Sequence, residues 1–163
     1  AREEASSEDK KRIDLVSLLD TIIEEYLIMR ANVEFRCNLH RVAIMARPIA
    51  LKRAFNNIIN NARRYAHNVT VSVFAKGNQV ILLIDDDGPG IPDDELEHVF
   101  EPFYRGEKSR NRDTGGVGLG LAVTHDIIQS HGGKISLHNR TAKGLRVRIS
   151  FPLSSEKLSV RSV

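Results

Sequence analysis

Leu15, Leu18, Leu19, Ile22, Ile23 and Tyr26 recur every three or four positions, with Glu24 and Glu25 off the stripe, and predict a helix over residues 14–30. Residues 33–37 and 41–45 are short strand-like runs. Pro48 suits the first turn of a second helix, which the pattern carries to about Tyr65. Val69, Val71 and Val73 alternate with Thr70 and Ser72, the mark of a half-buried strand. A turn at Lys76-Gly77-Asn78 joins it to an apolar strand over 80–84. Gly88 to Gly90 break the chain, and 93–98 reads as a short helix. Residues 104–116 lack apolar periodicity and read as a long loop. A third long helix is expected over 119–130, ended by Gly132 and Gly133. Residues 135–138 and 145–151 alternate and read as a closing pair of strands. Residues 1–12 read as a linker or cut end, 13–153 as one domain, and 154–163 as a disordered tail. Three long helices and about six strands, grouped rather than strictly alternating, predict an α+β two-layer sandwich.

Composition narrows the function classes. The length of 163 residues allows one domain with a sizeable core. No run of about 18 apolar residues occurs, and the charged N-terminus is unlike a secretory signal. Cys37 is the one cysteine, which excludes an internal disulfide, points to a reducing, cytoplasmic setting and leaves no zinc-type ligand cluster. The 24 Lys+Arg against 21 Asp+Glu give a net charge of only +3, and the basic residues are dispersed, which argues against nucleic acid as a partner. Glycine is more informative, because seven of the 11 fall between Gly88 and Gly120.

Three segments carry candidate chemistry. Asparagine is a poor helix former, yet the second helix holds Asn56, Asn57, Asn60 and Asn61. Leu51, Phe55, Ile58 and Ala62 form its apolar stripe; Asn57, Asn61 and Arg64 line up along the rim with Tyr65 beside them, while Asn56 and Asn60 point elsewhere. Such a row is either a solvated edge or a ligand contact, and an amide oxygen is a neutral donor suited to Mg²⁺. Asp87 ends the apolar strand as an acceptor suited to an exocyclic amino group, and Gly88 and Gly90 let a flat base approach the backbone; the alternatives are a plain turn or a calcium-like acidic loop, for which too few acidic residues follow. Gly116, Gly118 and Gly120 place free amides and a positive helix end where polyphosphate docks. The segment lacks both the preceding strand of a dinucleotide fingerprint and the Gly-Lys-Ser/Thr of a P-loop. Between the glycine segments, Phe100 and Phe103 can plug the core and hinge a basic loop bearing Arg105, Lys108, Arg110 and Arg112, which is either a lid able to swing toward a bound triphosphate or a solvated loop.

Taken in order, Asn-Ile-Ile-Asn-Asn-Ala (57–62), Asp-Gly-Pro-Gly (87–90), Phe-Glu-Pro-Phe (100–103) and Gly-Val-Gly-Leu-Gly-Leu (116–121) resemble the N box, first glycine box, F box and second glycine box of the ATP-binding catalytic domain of bacterial sensor histidine kinases. That domain belongs to the gyrase, Hsp90, histidine kinase and MutL (GHKL) ATPase superfamily. The wording is nearest to EnvZ-type osmosensor kinases. The resemblance covers about 13–153 and implies a mixed five-stranded sheet covered by three helices, with Mg-ATP as the ligand. It implies that Asn61 coordinates Mg²⁺, Asn57 supports phosphate or metal, Arg64 contacts phosphate and Tyr65 stacks near adenine. Asp87 would accept the adenine amino group, with Gly88, Gly90 and Ile91 lining the base pocket. Arg105, followed by Gly106, would reach the phosphates. The amides from Val117 through Gly118, Leu119 and Gly120 to Leu121 would hold the triphosphate after Gly116, with Leu119 close to the base.

Two departures refine this expectation. Water-activating relatives carry a glutamate general base at the first N-box position; here Asn57 stands there, and an amide cannot take a proton at neutral pH. Catalysis would then be positioning and charge neutralisation by Asn61-held Mg²⁺, Arg64 and Arg105 for phosphoryl transfer. The last glycine box often reads Gly-Thr, whereas here Gly144 precedes Leu145. None of His40, His67, His98, His125, His131 and His138 stands in the phosphoacceptor setting of the family, so the accepting histidine would lie on a separate dimerisation hairpin. The implied partners are that hairpin and a response regulator; the 163-residue chain would be monomeric, its parent a homodimer anchored in the inner membrane. An anti-sigma-type serine kinase and a nucleotide-sensing module without transfer are the rival readings.

Overall fold

The computed structural model describes residues 8–102, 120–153 and 158–160. The elements run β1 (Lys11–Asp14), α1 (Leu15–Ile28), β2 (Val33–Cys37), β3 (Leu39–Ala46), α2 (Pro48–Tyr65), β4 (Val69–Lys76), β5 (Gln79–Asp86), α3 (Gly120–Ser130), β6 (Lys134–Asn139), β7 (Leu145–Pro152) and β8 (Leu158–Val160). A five-stranded sheet has the order β2-β4-β5-β7-β6, with β2 parallel to β4 and the remaining pairs antiparallel. A smaller sheet, β1-β3-β8, packs beside it. This is the expected two-layer α+β arrangement, a mixed five-stranded sheet with three helices on one face.

The core follows from strand parity. Val69, Val71 and Val73 of β4 pair with Asp86, Ile84 and Leu82 of β5, so all six side chains point to the helix face. The helices answer with Leu15, Leu19 and Ile22 from α1 and Leu51, Phe55, Ile58 and Ile59 from α2, each essentially solvent-free. Fully burying a side chain of this size contributes about 1.5–3 kcal/mol, enough to hold α2 helical despite its four asparagines.

Three expectations need correction. Residues 93–98 form no helix; Glu95 N–H bonds Pro92 O, His98 N–H bonds Glu95 O and Glu101 N–H bonds His98 O, each at 2.9 Å, a chain of four-residue turns without a helical ladder. The acidic run there offers only Leu96 and Val99 for burial, too little to stabilise a longer helix. The segment read as a linker is tied down: Lys11–Asp14 pairs with β3, and the Glu8 carboxylate accepts from Ile49 N at 2.9 Å and Ala50 N at 3.2 Å. Arg47, the residue before α2, offers no side-chain cap, so Glu8 supplies one from outside the helix. The tail read as disordered contains β8, which adds to the free edge of β3 with Leu158 opposite Val42 and Val160 opposite Leu39. Phe103, Arg105, Gly106, Gly116, Val117, Gly118 and Leu119 fall outside the described residues.

Candidate functional site

The candidate site lies where three pieces of backbone meet above the end of β5. The polar edge of α2 forms the first wall. Asn57, partly exposed, donates from Nδ2 toward Gly120 O at 3.5 Å and Thr124 Oγ1 at 3.4 Å, which ties α2 to the first turn of α3. Thr124 Oγ1 in turn donates to Gly120 O at 2.8 Å. Asn61 is partly exposed one turn further on, Arg64 is exposed on the last turn, and Tyr65 is half-buried at the helix end. Asn56 and Asn60 face away, as expected: Tyr26 Oη sits 2.8 Å from Asn56 Oδ1 and 3.0 Å from Asn60 Oδ1, with Arg63 over its ring at 5.2 Å.

The second wall is the start of α3. Among the described residues, a Cβ built on Gly120 would meet nothing within 4 Å. Leu121 is partly buried against the core. Phe100 also packs on that core and lies 5.0 Å, centroid to centroid, from the His125 ring; Phe103 and the basic loop after it lie outside the described residues.

The floor is the end of β5, and here the structure overturns an assignment. Asp87 does not offer its carboxylate to the site. Its Oδ1 accepts from His67 N at 2.9 Å and Asn68 N at 3.0 Å, and its Oδ2 accepts from Asn68 Nδ2 at 2.7 Å, so it caps the turn between α2 and β4. The backbone and side-chain donors of Asn68 hold it well below the usual carboxylate range, at about 2. The residue one position earlier is the carboxylate that faces the helices. Asp86 is 6% exposed and lies on the helix face opposite Val69. Its Oδ1 accepts from Gly88 N at 2.9 Å and Leu145 N at 3.2 Å, and among the described residues Oδ2 accepts nothing. Burial pushes the Asp86 carboxyl up, against the pull of those two N–H groups.

Two glycines make the close approach possible. A Cβ at Gly144, where φ is +99°, would strike the Asp86 carbonyl, and a Cβ at Gly88 would lie 2.8 Å from Tyr65 O. The first glycine segment is thus pressed between the end of α2 and the β6–β7 connection. Leu145 contributes its backbone N–H to Asp86 while its side chain is buried, so the polar group that a threonine would add here is absent. From Asn57 to Tyr65, α2 rises by about 12 Å, which separates the α3 end of the cleft from the Asp86 end.

Asn139 closes the site, and sequence reading missed it. Its Oδ1 accepts from Ile91 N at 2.9 Å, and its Nδ2 donates to Ile91 O at 2.5 Å and Asp93 Oδ1 at 3.0 Å. The amide thereby pins Gly90 and Ile91 as an added strand residue would. Arg140 Nη1 donates to Asp86 O at 2.8 Å and holds the strand end from outside. Among the described residues no three His, Cys, Asp or Glu side chains converge as a metal site.

Residues 46–155 match the family described as histidine kinase-, DNA gyrase B- and HSP90-like ATPase. Sensor protein RstB of Escherichia coli K12 is 44% identical over 104 residues, 63% of this chain and 24% of that protein. Sensor histidine kinase GtrS of Pseudomonas aeruginosa is 38% identical over 146 residues, 89% of this chain and 29% of that protein. The chain thus spans about a quarter of the length of these curated relatives. Among solved structures, the histidine kinase domain of the E. coli osmosensor EnvZ superposes with a TM-score of 0.72 at 28% identity, covering 95% of this chain and 96% of that one.

Proposed function

The chain belongs to the histidine kinase-, DNA gyrase B- and HSP90-like ATPase family, and on that premise we propose that it is the ATP-binding catalytic domain of a two-component sensor histidine kinase. In this reading it presents the γ-phosphate of Mg-ATP to a histidine on a separate dimerisation hairpin, for relay to a response regulator. The parent protein is a homodimer anchored in the inner membrane. The observation that carries the reading is the buried Asp86 carboxylate, which keeps one acceptor oxygen uncommitted at the floor of the cleft. A purine exocyclic amino group is the donor it fits, and the ring enters between Ile91 and the end of α2.

The donor set at the other end fits a magnesium ion held mainly by phosphate. Asn61 supplies a neutral amide oxygen, with Asn57 one turn earlier, and no described carboxylate cluster competes for the cation. When bound, Mg²⁺ neutralises charge on the polyphosphate. The chain's own residues then position the substrate. The amides of residues 117–121, the N-terminal end of α3, Arg64 and Arg105 are assigned to the phosphate oxygens. Asn57 carries no proton acceptor of useful basicity, and its Nδ2 is spent on the α3 terminus. Water is therefore not activated at that position, and an external imidazole is the nucleophile that completes the reaction by in-line attack.

Incubation with γ-labelled ATP and a histidine-bearing hairpin fragment tests this reading. Acid-labile, base-stable label on the fragment is expected. Tight binding without transfer would identify a nucleotide sensor; label on serine, or steady phosphate release without the fragment, would assign a different member of the superfamily.

A further inference from the structure

The helices cover one face of the five-stranded sheet; the other carries no described helix, although Ile81 and Ser150 on it are buried. By register this outer face carries Ser72, Leu83, Arg148 and Ser136 in one row and Thr70, Asp85, Arg146 and His138 in the next. A hollow of about 560 Å³ opens there, lined by Phe74 and Leu83 together with His138, Arg140, Arg146 and Arg148.

The charges on this face are unevenly satisfied. Asp85 is committed to Arg146 in a bidentate pair at 2.7 and 2.9 Å, and Glu34 to Arg36 at 3.0 and 3.1 Å. Among the described residues, Arg148, Arg140 and Lys134 have no carboxylate partner. The strand carboxylates are thus neutralised, Arg148 and Lys134 have no carboxylate among the described residues, Arg140 spends one guanidinium nitrogen on Asp86 O, and the partly exposed Phe74 and Leu83 lie beside these cations on the β4 and β5 side.

We propose that this outer sheet face, with Phe74 and Leu83 as its floor and Arg148 and Arg140 at its rim, is a docking surface for an acidic segment of a partner protein. A chain crossing from β4 over β5 and β7 to β6 spans about 14 Å, which four or five extended residues cover at about 3.3 Å each. Carboxylates at the β7–β6 end of such a segment meet Arg148 and Arg140, and an apolar side chain at its β4–β5 end settles on Phe74 and Leu83. A basic segment is repelled, and a nucleic-acid backbone brings no apolar side chain for the floor. The inference does not depend on what the cleft above Asp86 binds.

The test uses the full 163-residue chain, ¹⁵N-labelled, and a decapeptide of alternating glutamate and leucine as probe. Shift changes are expected at Phe74, Leu83, Arg148 and Ser136. Affinity should fall at least tenfold on Arg148→Glu and again when salt is raised from about 0.05 to 0.5 M. An all-glutamate peptide of equal charge should bind several-fold more weakly. Thermal melts of Arg148→Glu confirm that the variant is folded, and Leu83→Ser supplies a second, charge-neutral test with the same direction. Absence of shifts at millimolar peptide, or equal binding by Arg148→Glu, overturns the proposal. Tighter binding of an RNA oligonucleotide of equal charge would assign the face to nucleic acid, and concentration-dependent self-association without peptide would assign it to a second copy; either overturns it too.

Discussion

Replacing Asp86 by asparagine separates the two neighbouring carboxylates at the end of β5. In Asp86→Asn an amide oxygen remains to accept from Gly88 N and Leu145 N, now 2.9 and 3.2 Å from Oδ1, so the loop keeps its anchor. The second oxygen becomes an NH₂ group, a donor facing the donor of the purine. Because burial already disfavours the charge, removing it costs the fold little, and the melting temperature should stay within about 2 °C. What is lost is a hydrogen bond to a charged acceptor, worth about 1.5–3 kcal/mol, or roughly 10- to 150-fold in Kd for ATP. Calorimetric titration with ATP and with purine riboside triphosphate, which lacks the amino group, reads the difference. The variant should bind the amino-free nucleotide within about twofold of the native chain. In Asp87→Asn the discrimination should survive, while the domain melts earlier because the bond from Asn68 Nδ2 is replaced by opposed amide groups. Unchanged ATP affinity in Asp86→Asn, or an equal loss for the amino-free nucleotide, would refute the assignment of Asp86.

Other predictions follow from single contacts. Gly144→Ala forces a Cβ onto the Asp86 carbonyl at φ +99°, so it should destabilise by more than about 2 kcal/mol in urea unfolding and weaken ATP binding in parallel. Asn139→Ala frees Ile91 from both of its side-chain bonds; about 1–3 kcal/mol of stability should go, together with several-fold ATP affinity, by the same two assays. Asp87 is held at about 2, below its ordinary 3.8, so it contributes stability above pH 3.8 that is lost as pH falls toward 2; the native-minus-Asp87→Asn difference in melting temperature should shrink over that window. Burial holds His131 below its usual value, while Nε2 accepts from Arg47 N at 3.0 Å and Nδ1 lies 2.7 Å from Ile127 O. The neutral ring is thus favoured in the fold, stability is full above pH 6.5 and declines below it, and His131→Gln should flatten the melting temperature between pH 7.5 and 5.5 relative to the native chain.

The layer architecture was legible because α1, α2 and the β4–β5 hairpin each carry an unambiguous period. The site carboxylate was misplaced by one residue because Val80 to Ile84 is apolar at every position, so the strand itself does not reveal which parity faces the helices. The information was nonetheless present. The two-residue turn at Gly77 and Asn78 sets Lys76 opposite Gln79 and therefore Val69 opposite Asp86, on the valine-lined face. Asn139 had no such signal, since it reaches Ile91 across 48 residues of chain and stands in an ordinary strand end. Glu8 was hidden for a similar reason: a charged N-terminal run gives no hint that one of its carboxylates caps a helix 41 residues later.

The account rests on where the purine sits. A structure of the chain with Mg²⁺ and a nonhydrolysable ATP analogue should place the exocyclic amino group about 3 Å from Asp86 Oδ2, the base beside Ile91 and the metal against the Asn61 amide oxygen. A base bound to Asp87, or a nucleotide lodged outside the space between α2, α3 and the end of β5, would contradict it.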